Sequence, residues 1–75
     1  VDTWSPVSVT VSEGSYQITS TVPVLYTQTG DAQAGPGSAC LGAYVTGHVL
    51  LKDGVLSFLA AEPDAVGDVF ILPLR

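Results

Sequence analysis

The chain has 75 residues and a mass of 7.7 kDa, which allows one domain and excludes a large enzyme with a deep lined pocket. Two basic residues, Lys52 and Arg75, stand against seven acidic ones, and the net charge of −5 excludes a nucleic-acid surface, which needs clustered Lys and Arg. Hydrophobic residues make up 47% but charged residues only 12%, about half the usual share, so neither an acidic disordered tail nor an ordinary well-solvated monomer fits.

Residues 1–6 read as an N-terminal arm that carries Trp4 and Pro6. The chain opens at Val1 and contains no Met, a start that initiator removal or trimming would both leave. No signal-peptide pattern opens it, and no apolar run approaches the ~18 residues of a membrane-spanning helix, so no membrane partner is expected. From Val7 the sequence alternates: Val7, Val9 and Val11 on one face, Ser8, Thr10 and Ser12 on the other. That is the period of a half-buried strand. Glu13-Gly14 reads as a turn. Alternation then resumes, with Tyr16, Ile18, Val22, Val24 and Tyr26 on one face, and Pro23 marking an edge, bulge or break. Residues 7–27 are therefore expected to form a β-hairpin with a kinked second arm.

Residues 28–40, QTGDAQAGPGSAC, hold no large apolar side chain and predict one long Gly/Ala-rich loop containing Asp31 and Pro36. Such a loop is either mobile surface or an arm that orders against a partner. The stretch 44–51, the turn Lys52-Asp53-Gly54 and the stretch 55–60 predict a second hairpin, because Asp-Gly between apolar runs suits a tight turn. Residues 62–68 predict a turn segment with room for one short helical turn. Residues 69–74, VFILPL, predict a final strand without alternation, both of whose faces should be covered. Pro73 puts its end at a sheet edge. The whole predicts one all-β domain over 1–75, a small sandwich or barrel of five to six antiparallel strands.

The surface chemistry points to assembly. Strand faces opposite the expected core are Ser, Thr and Gln, and the Lys and Glu that commonly guard exposed edges are nearly missing from the strands. Such faces pack against protein without desolvating a charge. Oligomerisation is also one of the few ways in which a small domain without disulfides gains buried area.

Residues capable of chemistry are few. The single Cys40 cannot form an internal disulfide, and its plainest role is that of a small buried hydrophobe. His48 is the sole histidine and has no neighbouring carboxylate in sequence to orient it. Glu62, Asp64 and Asp68 share one turn, but their spacing does not match a twelve-residue calcium loop. Gly30, Gly35 and Gly37 lack the spacing and lysine of a phosphate loop. No catalytic residue, metal or cofactor is assigned, and the chain is not expected to be an enzyme.

In general style the chain resembles the small capsid decoration, or cement, proteins of tailed bacteriophages. The resemblance rests on the N-terminal VDTWSPVSVTV, the loop GDAQAGPGSAC, the hairpin GHVLLKDGVLSFLA and the closing GDVFILPLR, and is one of type, without a specific motif. It implies a structural protein of the virion that bridges subunits of the major capsid protein, commonly as a homotrimer. The contacts would come from Trp4, Pro6, Asp31, Pro36, Val69, Phe70, Leu72 and Leu74. The alternative is a ligand- or carbohydrate-binding module of a secreted or surface protein, with Trp4, Tyr16, Tyr26 and Tyr44 as stacking aromatics. The positions of Tyr16 and Tyr26 on the core-facing side weigh against it.

Overall fold

The computed structural model of the chain describes residues 1–30, 32–33 and 38–74. They form seven strands: β1 (Val7–Val11), β2 (Gly14–Ser20), β3 (Val24–Thr27), β4 (Ala39–Leu41), β5 (Thr46–Leu51), β6 (Gly54–Ala60) and β7 (Val69–Leu74). One sheet has the order β1-β6-β3-β4 and the other β5-β2-β7, with every pairing antiparallel. The expected all-β class is observed, as a sandwich and not a barrel, with seven strands where five to six were expected, because residues 39–41 add the short strand β4 and residues 7–27 divide into three strands.

The registers show how it is built. β1 pairs with β6 (Val7↔Phe58 to Val11↔Gly54), β2 with β5 (Gly14↔Leu51 to Thr19↔Thr46), and β3 with β4 (Val24↔Leu41 to Tyr26↔Ala39). In all three the two residue numbers of a pair add to the same total. The three pairings are therefore one long antiparallel ribbon, whose innermost pair is β3 with β4, and it is folded twice across its width. Folding brings β6 against β3, with Val24↔Ala60 through Thr27↔Ser57, and this seam closes the roll. The wrapping is that of a jelly roll, in a shorter form. β7 returns outside the roll and pairs with β2.

The first fold lies at residues 12–13 and 52–53, where the ladder stops and backbone groups lose their partners. Three side chains replace them. The Glu13 N–H donates to Asp53 Oδ1 at 2.6 Å, and the Tyr16 hydroxyl donates to the Ser12 carbonyl at 2.6 Å. The Gln28 amide bonds both the N–H and the C=O of Lys52, at 3.1 and 2.8 Å. Gly54 enters β6 at φ 143°, a conformation costly for residues with a side chain. The second fold lies at residues 20–23 and 42–45. There Tyr44 N–H donates to the Ser20 carbonyl at 2.7 Å, and Tyr44 sits at φ 57°.

Both expected hairpins are therefore corrected. β1 and β2 lie in different sheets, as do β5 and β6. Alternation of polar and apolar residues is the same whether a strand turns back on its neighbour or bends into the next sheet. Asp53 shows the difference, because its carboxylate reaches across to Glu13 instead of closing a two-residue turn.

Ile18, Val24, Leu41, Leu51, Leu56 and Phe58 form the buried cluster, with Val11, Tyr16, Val22, Tyr26, Val49, Val69 and Ile71 packed round it. Each fully buried aliphatic or aromatic side chain contributes about 1.5–3 kcal/mol. Two buried hydroxyls are bonded: Ser20 Oγ accepts from Val22 N–H at 3.3 Å and Ser57 Oγ from Ala32 N–H at 2.9 Å.

Further expectations change here. Of the segment 28–40, Ala39 and Cys40 enter β4, and Ala32 is buried with its N–H on Ser57 Oγ. Asp31 and Pro36 lie outside the described residues. Residues 62–68 hold a hydrogen-bonded turn in place of a helical one, with Ala65 N–H on the Glu62 carbonyl at 3.3 Å and Asp64 at φ 57°. Cys40 is exposed, not buried, because it falls on the outward side of the short strand β4.

Candidate assembly surface

The outer face of the β5-β2-β7 sheet follows from its registers. Ser15 pairs with Leu74 and Leu50, Gln17 with Leu72 and His48, and Thr19 with Phe70 and Thr46. Paired residues point to the same side of a sheet, so these nine form one face. None is Asp, Glu, Lys or Arg. Phe70 is 60% exposed, Leu72 57% and Leu50 84%. The large apolar side chains are Phe70, Leu72 and Leu74 on β7 and Leu50 on β5, and the polar ones are Ser15, Gln17 and Thr19 on β2 with Thr46 and His48 on β5.

Charge is absent from the strands as a whole. The described charged residues are Asp2, Glu13, Lys52, Asp53, Glu62, Asp64 and Asp68, and all lie at the folds, in the 61–68 connection or in the N-terminal arm. The reason is local: folds and turns expose backbone that carboxylates can satisfy. Asp2 Oδ1 accepts from Trp4 N–H and Ser5 N–H, both at 2.9 Å. Those two donors, Ser5 first, hold its carboxyl below the ordinary value.

The sequence-derived contact residues divide accordingly. Phe70, Leu72 and Leu74 stand outward on β7, as an assembly surface requires. Val69 does not join them, since it packs inward on the core with Ile71. The final strand is thus covered on its inner side and open on its outer side within the single chain. Trp4 and Pro6 are exposed in the N-terminal arm, with Trp4 fixed by the Asp2 turn. Tyr16 and Tyr26 are packed on the core, and Tyr26 lies 6.2 Å from Phe58 between ring centroids. Sequence reasoning missed Leu50. Its signal was legible, because it sits at the outward period of the 46–51 stretch, as His48 does.

Cys40 and His48 lie in different sheets, so the fold does not bring the one thiol and the one imidazole together. Among the described residues no cluster of three His, Cys, Asp or Glu side chains is placed to hold a metal ion. A shallow depression lined by Glu13, Gly14, Leu50, Leu51 and Lys52 lies at the first fold. No family model matches the chain, and no curated protein or solved structure is similar to it.

Proposed function

We propose that this chain is a structural protein that decorates a protein shell of the bacteriophage capsid type, lying as a homo-oligomer between shell subunits. The observation that carries the reading is the uncharged outer face of the β5-β2-β7 sheet, with Phe70, Leu72, Leu74 and Leu50 exposed on it. A chain of net charge −5 that keeps its described charges off its strands can press those faces against protein without burying a charge. Contacts repeated over a lattice would add through avidity, so each can be small. Light scattering behind a sizing column tests the assembly, and co-sedimentation with capsids stripped of their decoration tests the shell. A multiple of 7.7 kDa together with pelleting on capsids is the expected result. A monomer that leaves capsids bare overturns the proposal.

A second reading draws on two exposed aromatics. Trp4 and Tyr44 belong to the same end of the sandwich, which is tied together by Asp2↔Val66, Gly67 N–H to Val1 O, Thr21 N–H to Asp68 O and Tyr44 N–H to Ser20 O. Tyr44 is 76% exposed and held at positive φ. Two such rings suit sugar stacking. Quenching of Trp4 fluorescence across a sugar panel tests it, and an unchanged spectrum throughout overturns it.

A further inference from the structure

β7 is the outer strand of its sheet, and no described strand lies beyond it. Its ladder with β2 decides which backbone groups face outward. Thr21 N–H donates to the Asp68 carbonyl at 3.0 Å, one step beyond the register pair Ser20↔Val69. Antiparallel ladders alternate bonded and non-bonded pairs. Hence Thr19↔Phe70, Gln17↔Leu72 and Ser15↔Leu74 are the bonded pairs, and Ile18↔Ile71 and Tyr16↔Pro73 are not. Pro73, which has no N–H, agrees with this assignment. Val69 and Ile71 therefore turn their N–H and C=O away from β2 to the open edge, and Pro73 turns its C=O there.

We propose that this edge pairs with the same edge of a second copy, β7 against β7, antiparallel about a two-fold axis at Ile71. The inference rests on the assembly reading above and names its contact. An open strand edge is matched by another strand. A two-fold contact brings each residue near its own equivalent, so an acidic chain must use a stretch that holds no charge. Val69–Leu74 has none, is apolar on both sides, and runs six residues, against three in β4. β1 and β5 are also uncharged edges, but neither exposes three large apolar side chains in a row on one face. The axis at Ile71 overlaps the strands almost end to end. Ile71 N–H reaches the Ile71 carbonyl of the second copy, and Val69 N–H reaches its Pro73 carbonyl, with both bonds repeated by symmetry. Phe70 then stands opposite Leu72 of the second copy, as a non-bonded pair with Cα atoms about 4.5 Å apart. The two sheets become one of six strands with a continuous uncharged face. This two-fold contact replaces the three-fold arrangement implied by the resemblance to decoration proteins.

Cysteine pairing tests it, because non-bonded neighbours fall within disulfide reach. Phe70→Cys and Leu72→Cys are each made in a Cys40→Ser background. Both positions are exposed, so folding is not at stake, and circular dichroism checks it. Under mild oxidation the mixture of the two variants should give a covalent dimer on a non-reducing gel, at least tenfold more than either variant alone. A dimer from Phe70→Cys alone overturns the axis at Ile71. A multimeric native mass with no cross-link in the mixture overturns this contact and leaves the assembly reading standing. A monomeric mass at every concentration overturns this contact, and overturns the assembly reading as well if the protein also fails to pellet with capsids.

Discussion

Gly67 shows how much one hydrogen atom decides. A Cβ there would meet Thr21 Oγ1 and both Val22 methyls, the latter at 2.9 Å. The carbonyl and N–H of Gly67 are both bonded to Val1, so the backbone cannot retreat. Gly67→Ala should cost about 1–3 kcal/mol, the range for overpacking a filled site. Denaturant melts should show this, whereas Gly42→Ala, where the nearest atom is Val45 Cγ2 at 3.4 Å, should lose less. Asp2 makes a different prediction. Its carboxyl is held below the ordinary 3.8 by the N–H groups of Ser5 and Trp4. A depressed carboxyl stabilises the fold above its unfolded pKa and ceases to do so as pH falls through its folded value. Asp2→Asn should therefore be less stable than the parent near neutrality, with the gap closing below pH 3.8. A gap that persists undiminished at pH 2 would refute the carboxylate's part in it.

Among elements, the double strand and its folds matter more than any single strand. Where the ladder is interrupted at residues 12–13 and 52–53, Gln28 supplies both missing partners of Lys52. Gln28→Ala should cost about 1 kcal/mol, since each net hydrogen bond is worth about 0.5–1.5 kcal/mol and this site is exposed. Ser57→Ala should cost more, about 1–3 kcal/mol, because it strands the Ala32 N–H in a buried place. Thermal melts rank the two, and equal losses would mean that the buried bond from Ala32 N–H to Ser57 Oγ is worth no more than an exposed one. The expected hairpins and the observed folds use the same residues. Val11 and Gly14 are close in sequence, yet each pairs with a residue of the 46–60 stretch. Local pattern carries no record of that choice, because period two is common to both arrangements.

For the whole molecule, charge placement governs association. If copies meet through uncharged strands, no ion pair is screened by added salt, while the general repulsion between chains of net charge −5 is. Self-association should therefore strengthen or hold level as salt rises from about 0.05 to 0.5 M, above and below the ionic strength where screening acts over ~10 Å. Sedimentation velocity measures it. Dissociation on adding salt would mean that the contact is made by ion pairs between a cationic group such as Lys52 and the carboxylates of the folds instead.

Composition and alternation were sufficient for the fold class, for the inward residues Ile18, Val24 and Tyr26, and for Pro23 as a break between strands. These properties are local: β-branched residues suit a pleat, apolar side chains leave water, and proline cannot donate to a ladder. The uncharged run that holds Phe70, Leu72 and Leu74 is likewise visible in the sequence, and the structure leaves all three exposed. Only the tertiary structure decided that the two expected hairpins are one rolled ribbon, and that β7 is inward at Val69 and Ile71 and open outside. It likewise decided that Cys40 is exposed and that Ala32 is buried on Ser57. Those outcomes depend on which long-range partner a strand meets. That choice is made by burying both faces of the ribbon at once, an energy that belongs to no single segment of the chain.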